Sequence, residues 1–510
     1  MHITADTAER YSITAGTLTY GDAAAAVEVL ADCYAAAGYG VGHRVGLMLD
    51  NRPAAFLHWF ALNGLGTSVV PLHSDLRSAE LSYLMQHGGL CLAVAAQEHV
   101  PKLRESSSEC PVVGDGSPAP CAPDTTRNGA PRESSECALL YTSGTTGKPK
   151  GCVLSNEYFL RCGRWYTEIG GLCALRPGED RLITPLPMTH MNAMACSTLA
   201  MVMTGGCIIP LDRFHPRSWW QTVRNSKATI MHSLGVMPSM LLGLDPSPDD
   251  REHMVRFGFA PGVDPRYHAR FEDRFGIPMI DAWAMTETGA AAAVIANHEP
   301  RHVGRSCFGR PQPSTQYRIV DQWGTDTLDD TPGELLVRAA GPDPRAGFFT
   351  EYLGDPEATE SAWDGGWFHT GDVVRRDTEG SLFFVDRWKN VIRRSGENIA
   401  AAEVESVLRQ HPLVREVACA AVPDDLRGEE VLACVVPSEP VADAARAATD
   451  IVAHTLRHLT YFKAPGYIAF VSALPLTATN KVQRSELGAW ARELPGSSSC
   501  VDTRHLKRRL

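Results

Sequence analysis

Short apolar runs alternate with helical patterns near the start of the chain, and this alternation limits the fold more than any other feature. Residues 44–49, 68–71 and 90–95 each have the composition of a buried strand. Residues 53–63 and 78–86, which lie between these runs, have the length and composition of helices. Because strands separated by helices of this length build a parallel sheet from βαβ units, the sequence predicts an α/β domain here.

The second half of the chain has a different pattern. Residues 316–320, 334–337 and 381–386 are strand-like runs separated by turn residues, which indicates a β-rich subdomain with antiparallel pairing. The end of the chain then has the pattern of a compact α+β unit. We therefore predict an α/β fold with a large N-terminal domain (residues 1–388), made of βαβ subdomains plus the β-rich subdomain, and a small α+β C-terminal domain (residues 389–510).

One loop carries an unusual density of glycine, threonine and lysine. Residues 138–155 are ALLYTSGTTGKPKGCVLS, an apolar run that enters this loop. Glycine lets backbone N–H groups approach an anion closely, hydroxyl groups add donors, and lysine adds positive charge. These residue types predict a polyphosphate-binding loop, with a flexible Gly/Thr turn as the alternative. It is not a Walker loop, because two residues rather than four separate Gly144 from Gly147.

Composition and charge exclude several classes of protein. The 510 residues are enough for two or more domains with a large core, and 44 % of them are apolar. The net charge of −11 argues against nucleic acid or an anionic membrane as the main partner. No apolar stretch approaches the roughly 20 residues that span a bilayer, and no secretory signal is visible. The 14 cysteines are scattered without a C-x-x-C pair, which predicts cytoplasmic thiols rather than a zinc site.

The glycine-rich loop resembles the phosphate loop of the adenylate-forming superfamily. That superfamily contains the acyl-CoA synthetases, firefly luciferase and the adenylation domains of peptide synthetases. Four further segments resemble motifs of the same family in the expected order, and they span most of the chain. The resemblance implies that ATP is bound by these loop residues: Thr142, Ser143, Gly144, Thr145, Thr146, Gly147 and Lys148.

Residues 281–288, DAWAMTET, are similar to the family motif that surrounds adenine and the phosphates. By this match Trp283 stacks on adenine, Thr286 binds the α-phosphate and Glu287 binds Mg²⁺, with Asp281 also at the nucleotide. The chemistry is consistent, because an indole offers a flat stacking face and Mg²⁺ prefers hard oxygen ligands that bridge carboxylate and phosphate. Packing in the core is the alternative role for Trp283.

Two single charged residues also resemble family positions. In residues 367–372, Asp372 matches the aspartate that accepts hydrogen bonds from both ribose hydroxyls, with a turn aspartate as the alternative. In residues 474–484, Lys481 matches the lysine that bridges carboxylate and α-phosphate during adenylation, where an ammonium stabilises developing charge. Asn480 replaces the usual glycine before this lysine, and asparagine tolerates a left-handed backbone.

Residues 386–399 resemble the family segment that links the two domains. The match implies that Arg387 reaches the ribose or a phosphate and that Lys389 is the hinge about which a mobile C-terminal domain rotates. It further implies that Arg393 and Gly396 line the tunnel for the coenzyme A thiol, where glycine allows close approach of the narrow pantetheine arm. A solvated basic linker is the alternative interpretation.

The acyl pocket is expected to be mostly apolar, and it departs from the family pattern at Phe259 and Ala284, where glycine is usual. A buried helix is predicted over residues 191–204, after the Pro-x-x-His segment that ends at His190. The resemblance implies the following pocket residues, with His190 as a wall or gate: Met188, His190, Asn192, His232, Leu234, Val236, Phe259, Ala260 and Ala284.

The resemblance implies an AMP-forming acid–thiol ligase. ATP and a carboxylic acid give acyl-AMP and pyrophosphate, with Mg²⁺ bound at Glu287, and coenzyme A then gives the thioester and AMP. The implied catalytic residues are Lys481, Glu287, Thr286, His190 and Arg393. Within the family, residues 234–238 and 479–484 look most like ligases related to carnitine/crotonobetaine-CoA ligase.

Three other functions stay open at this point. The first keeps adenylation but transfers the acyl group to an amine, a carrier-protein thiol or a partner enzyme. The second is a γ-phosphoryl-transferring NTPase or kinase, and the third is a nucleotide-binding sensor without catalysis. The expected partners are a small carboxylic acid, ATP and coenzyme A, and a homodimer is left open.

Overall fold

The chain divides into two compact units in the computed structural model. The described residues are 12–13, 16–107, 109–124, 129–142, 149–233, 236–321, 323–387, 391–395, 397–475, 482 and 484–507. The first unit comprises Met1–Ser74, Leu84–Leu140 and Gly151–Asp386. The second unit comprises Asp75–Tyr83, Tyr141–Lys150 and Arg387–Leu510.

Most strands of the first half belong to parallel sheets, and most of those between residues 307 and 387 belong to an antiparallel one. The strands up to the end of the first unit are β1 (Ser12–Ile13), β2 (Gly16–Thr17), β3 (Arg44–Met48), β4 (Ser68–Pro71), β5 (Leu92–Ala95), β6 (Val112–Gly114), β7 (Glu136–Thr142), β8 (Lys150–Ser155), β9 (Arg181–Thr184), β10 (Cys207–Pro210), β11 (Ile230–His232), β12 (Phe257–Phe259), β13 (Met279–Ile280), β14 (Ala282–Trp283), β15 (Val294–Ile295), β16 (Cys307–Gly309), β17 (Thr315–Val320), β18 (Gly333–Ala339), β19 (Glu351–Tyr352), β20 (Phe368–Arg376) and β21 (Leu382–Arg387).

Helices lie between these strands. They are α1 (Tyr20–Ala36), α2 (Pro53–Gly64), α3 (Ser78–His87), α4 (Val100–Ser106), α5 (Asn156–Glu168), α6 (Leu199–Thr204), α7 (Trp219–Ser226), α8 (Val236–Leu242), α9 (Pro265–Phe275) and α10 (Pro356–Ala362). Single 3₁₀ turns occur at Gln97–His99, Gly171–Cys173, Pro216–Ser218, Pro248–Arg251, Gly289–Ala291 and Asp364–Gly366. A π-helix, Asn192–Thr198, precedes α6, so the helix predicted over residues 191–204 has two different geometries.

A seven-stranded sheet contains the strands predicted from the alternating pattern. Its order is β19-β8-β7-β4-β3-β5-β6. Strand β3 pairs in parallel with β4 and β5, and β4 and β5 pair in parallel with β7 and β6. Helix α1 begins at Tyr20 because Thr19 forms a capping box with Asp22, which satisfies N–H groups left free at a helix start.

A second sheet has five strands in the order β10-β9-β11-β12-β13, and all its pairs are parallel. Ile183, Met231 and Phe257 from three of these strands are fully buried. A third sheet, β16-β21-β20-β18-β17, has antiparallel pairs at β16–β21, β18–β20 and β17–β18. The predicted βαβ subdomains and β-rich subdomain are therefore confirmed.

The second unit is the compact α+β structure predicted for the end of the chain. Its strands β22 (Val391–Arg394), β23 (Glu397–Ala400), β24 (Val414–Asp424), β25 (Gly428–Pro437), β26 (Tyr467–Phe470) and β27 (Cys500–Asp502) form one sheet. Its helices are α11 (Ala401–Leu408), α12 (Ala444–His458) and α13 (Arg484–Glu493), with a 3₁₀ turn at Arg504–Leu506. The fold class is thus α/β with a small α+β C-terminal part. No helix in the described part of the chain combines the length and the hydropathy that crossing a bilayer requires.

Candidate active site

The second sheet brings several predicted site residues to one edge. Strands β11 and β12 end at His232 and Phe259, and Asp281 follows directly after β13. Because all these strands are parallel, their carboxyl ends meet at the same edge of the sheet. In open α/β sheets, ligands bind outside the carboxyl ends of the strands. The candidate active site is therefore at this edge.

Asp281 fixes the two loops that leave this edge. Its Oδ1 atom accepts hydrogen bonds from the backbone N–H groups of Gly262, at 2.8 Å, and Ala282, at 2.9 Å. The carboxylate is buried, and these bonds hold the start of the DAWAMTET segment against the loop that follows β12. Asp281 thereby holds these two loops of the candidate site together.

Trp283 and Asp372 meet although 89 residues separate them in sequence. The indole Nε1–H donates to Asp372 Oδ2 at 2.8 Å. Trp283 is 6 % exposed and Asp372 is 1 % exposed. Thr370 holds the aspartate by accepting from its backbone N–H at 3.0 Å while donating to the Leu335 carbonyl at 2.6 Å. The structure thus joins two of the predicted nucleotide-binding segments, and the indole also packs as a core residue.

Two tyrosines hold the predicted Thr-Glu pair. The Tyr352 hydroxyl donates to Glu287 Oε1 at 2.9 Å, and the Tyr158 hydroxyl donates to the Thr286 carbonyl at 2.8 Å. Burial and the nearby Glu287 carboxylate raise the pKa of Tyr352, so its phenol stays a donor. Gly289 has φ +50°, and a Cβ atom there would lie 2.4 Å from the Tyr158 ring. The backbone around Glu287 is therefore closely fitted to Tyr158.

His232 lies in a buried network at the carboxyl end of β11. Its Nε2 atom is 2.8 Å from the Tyr166 hydroxyl, and its Nδ1 atom is 2.8 Å from Ser197 Oγ and 2.9 Å from Asn192 Oδ1. The ring stacks on Phe259 with centroids 4.7 Å apart and an interplanar angle of 25°. Burial lowers the pKa of His232 to about 3, so the imidazole is neutral.

The segment before the π-helix is held by a residue from the turn between β3 and α2. Asn51 Oδ1 accepts from the backbone N–H of Met188 at 2.9 Å, and its Nδ2 donates to the carbonyls of Leu186 and Leu211. The His190 N–H donates to the Pro187 carbonyl at 3.1 Å. Among the other predicted pocket residues Met188, Phe259 and Ala260 are buried, whereas Ala284 is exposed.

Some predicted residues belong to the second unit or lie outside the described residues. Thr142 ends β7, and Arg393 lies in β22, where its N–H donates to Glu429 Oε2 at 2.5 Å. The residues outside the description are Ser143, Gly144, Thr145, Thr146, Gly147, Lys148, Leu234, Lys389, Gly396 and Lys481, together with the side chains of Val236 and Arg387. Their predicted roles stay predictions.

Sequence reasoning missed the residues that hold the site. Tyr158 and Tyr166 lie on the buried face of α5, and Tyr352 ends β19. A buried tyrosine usually finds a hydrogen-bond partner for its hydroxyl, so tyrosines eight residues apart on one helix face indicate polar partners. That signal exists in the sequence, but it does not identify Thr286 or His232 as the partners.

Comparison with known proteins places the chain in one family. A protein-family model described as AMP-binding enzyme matches residues 4–344, and a family model described as AMP-binding enzyme C-terminal domain matches residues 403–481. The chain therefore belongs to the AMP-binding enzyme family. Within it, the prediction of an adenylate-forming ligase of the AMP-forming acyl-CoA type is confirmed.

Individual relatives align with this chain over about nine tenths of its length. The crotonobetaine/carnitine–CoA ligase of Citrobacter koseri is 28 % identical over 479 residues, which cover 90 % of each chain. The sulfoacetate–CoA ligase of Cupriavidus necator is 31 % identical over 487 residues, 92 % of each chain. A malonyl-CoA ligase structure with methylmalonyl-CoA and AMP bound has a TM-score of 0.78 at 26 % identity, and the match covers 92 % of this chain and 98 % of that one.

Proposed function

We propose that this ligase converts a small carboxylic acid to acyl-AMP and then to its coenzyme A thioester at the carboxyl edge of the second sheet. The observation that carries the location is the hydrogen bond between Trp283 and Asp372, which joins two motif segments at that edge. The curated relatives are CoA ligases by name, which supports coenzyme A as the acceptor.

In the first step, the carboxylate of the acid attacks the α-phosphorus of ATP and pyrophosphate leaves. Asp372 accepts hydrogen bonds from the ribose hydroxyls, and Trp283 is the surface for adenine. Thr286 binds the α-phosphate, and Lys481 stabilises the charge that builds on its oxygens as the carboxylate attacks. His190 borders the acyl group. Each of these roles derives from the family match, and the contact between Trp283 and Asp372 supports two of them.

Glu287 is suited to hold Mg²⁺. The structure gives it a buried carboxylate fixed by Tyr352, and carboxylate oxygens are the ligands that Mg²⁺ prefers. No group of three His, Cys, Asp or Glu side chains suitable for a metal occurs in the described part of the chain. One carboxylate is sufficient in a nucleotide site, because substrate phosphates and water supply the other ligands. When bound, the ion would neutralise phosphate charge.

In the second step, coenzyme A attacks the acyl carbonyl and AMP leaves. We assign Arg393 and Gly396 to the thiol tunnel and Lys389 to the hinge of a mobile C-terminal domain (residues 389–510), as the family match implies. A hinge motion lets one acyl-AMP meet two sets of residues in turn. A cytoplasmic location fits the cysteines, which carry thiols rather than disulfides in the described part of the chain.

Product analysis tests the proposal. Purified protein, ATP, Mg²⁺ and a panel of carboxylic acids should release pyrophosphate, and added coenzyme A should give AMP and a thioester. Formation of ADP would contradict adenylation. Acyl-AMP without a thioester would favour another acceptor, such as an amine or a carrier-protein thiol.

Lys481→Ala separates the two steps. We expect acyl-AMP formation to fall by about a hundredfold or more, because a preplaced charge at the transition state is lost. Thioester formation from supplied acyl-AMP should change much less, since the lysine acts only in adenylation. Stopped assays of each half-reaction measure the two rates, and equal losses in both would contradict the assigned role.

A further inference from the structure

One arrangement of protons satisfies every contact of His232. Asn192 Oδ1 can only accept, so His232 Nδ1 carries the proton between them. Ser197 Oγ donates to the Asn192 main-chain carbonyl at 3.0 Å and therefore accepts from the same Nδ1–H. The unprotonated Nε2 atom then accepts from the Tyr166 hydroxyl.

The opposite orientation of the Asn192 amide is disfavoured. With the amide turned over, His232 would carry its proton on Nε2 and donate it to Tyr166. The buried phenol proton of Tyr166 would then have no acceptor among the described residues. An unsatisfied buried donor is costly, so the first arrangement is the stable one.

This arrangement determines where the Asn192 amide group points. Its oxygen is held by His232, so the two N–H donors of Nδ2 face away from the imidazole. Within the part of the chain that the structure describes, Nδ2 has no hydrogen-bond partner, and the side chain is only partly buried. Its π-helix also has a geometry that is frequent at functional sites. The amide is therefore a fixed donor with unused capacity.

We propose that Asn192 Nδ2 donates a hydrogen bond to an oxygen atom on the acyl chain of the substrate, beyond the reacting carboxylate. Tyr166 and His232 are positioning residues that hold the amide in this orientation. The inference rests on the proposed ligase function and names its substrate class. That class is small carboxylic acids that carry an acceptor oxygen, such as a hydroxyl, a carbonyl or a second acid group.

A placed donor in a mostly apolar pocket has a large effect on selectivity. Met188, Phe259 and Ala260, predicted to line the same pocket, are apolar. Apolar walls discriminate weakly between acids of similar shape, whereas a placed donor rejects an acid that leaves it unpaired. Binding pockets commonly combine apolar walls with a few placed polar groups.

Matched pairs of acids test the proposal. Butanoate is compared with 3-hydroxybutanoate and pentanoate with 4-oxopentanoate, by pyrophosphate release from the full chain with ATP and Mg²⁺. We expect kcat/KM to be about tenfold or more higher for the oxygenated member of at least one pair, mainly through KM. Asn192→Leu should bring that ratio close to one. Asn192→Asp keeps the oxygen bonded to His232 but loses both donors, so it should lower the ratio independently.

The positioning role has its own pair of variants. Tyr166→Phe removes the hydroxyl that fixes the His232 tautomer, and we expect the ratio to fall about three- to tenfold through KM of the oxygenated acid. Tyr39→Phe is the matched control, because the Tyr39 hydroxyl is buried and has no hydrogen-bond partner among the described residues. It should leave the ratio unchanged.

The outcomes separate the role of Asn192, the positioning role of Tyr166 and the ligase function itself. Ratios near one for every pair in the unmodified protein, or an unchanged ratio in both Asn192 variants, would overturn the inference while the ligase function stands. Equal losses for both members of a pair in Tyr166→Phe would make that tyrosine structural and overturn its positioning role. No pyrophosphate release with any acid would overturn the ligase proposal, and this inference with it.

Discussion

The two units contain buried polar groups of opposite character. In the first unit, the neutral His232 is held by hydroxyl and amide groups, and Asn192 keeps donors to spare. In the second unit, the Lys463 ammonium lies 2.8 Å from the carboxylates of both Glu80 and Glu403. The first network keeps unused hydrogen-bond donors on Asn192, whereas in the second network opposite charges pair with one another. Burial of polar groups therefore does not by itself identify a functional site.

The ionic group of the second unit consists of buried charges that are paired with one another. Burial raises the pKa of Glu403, and burial of Lys463 is outweighed by the two carboxylates, which raise the pKa of its ammonium. In a second buried group, Glu430 pairs with Arg394 at 2.8 Å and with Lys507, and there burial lowers the pKa of the Lys507 ammonium to about 7 despite the Glu430 carboxylate. Removing one partner from such a group leaves an uncompensated buried charge.

Lys463→Met is expected to have the largest effect, and it tests how much the second unit depends on the pairing of its buried charges. It should lower the free energy of unfolding by about 3–5 kcal/mol, because Glu80 and Glu403 are left buried without their cation. Urea unfolding of the full chain measures it. Arg409→Met is the control, since its pair with Glu405 is half exposed on the arginine side and should contribute less than about 1 kcal/mol. Similar losses in both variants would contradict the distinction.

Asp372→Asn is expected to have the next largest effect and tests whether the first unit's network serves the nucleotide. The amide oxygen can still accept from Trp283, but the charge that would bind both ribose hydroxyls is lost. Hydrogen bonds to a charged group contribute about 1.5–3 kcal/mol, so KM for ATP should rise about 10- to 150-fold. Steady-state kinetics with a melting curve separates the roles. A lower melting temperature with an unchanged KM would make Asp372 structural.

The sequence predicts parts of this molecule whose chemistry depends on local spacing. The parallel strands and the segments with Glu287 and Asp372 were recognisable because apolar runs and short motifs are local signals. The partners were not, because a contact such as Lys463 to Glu80 spans 383 residues. The same limit applies to the Tyr166 hydroxyl, since a helical pattern shows that it is buried but not what it meets.

His232→Phe tests whether the buried histidine of the first unit is neutral, through the pH dependence of the free energy of unfolding. The folded-state pKa of about 3 lies below the unfolded value of 6.5, so the unfolded chain binds the proton more tightly. The stability from the neutral imidazole is therefore complete above pH 6.5 and declines by up to about 1.4 kcal/mol per pH unit as the pH falls toward 3. Urea unfolding between pH 7.5 and 5 should show a shallower slope in the variant. Identical slopes would mean that the ring is not held neutral.

Tyr352→Phe is expected to have the smallest effect, and it asks whether a tyrosine of the first unit acts on the metal site or only on stability. Losing the bond to the Glu287 carboxylate should lower the free energy of unfolding by about 1.5 kcal/mol, the lower end of the range for a hydrogen bond to a charged group. Tyr158→Phe loses a bond to the Thr286 carbonyl and should be destabilised to a similar extent. Because Tyr352, and not Tyr158, donates to the carboxylate, the Tyr352 variant alone of these two should require several-fold more Mg²⁺ for half-maximal pyrophosphate release. A shift of equal size in both variants would show that the metal requirement follows general loosening of this turn, and the Glu287 carboxylate would then need no tyrosine to orient it.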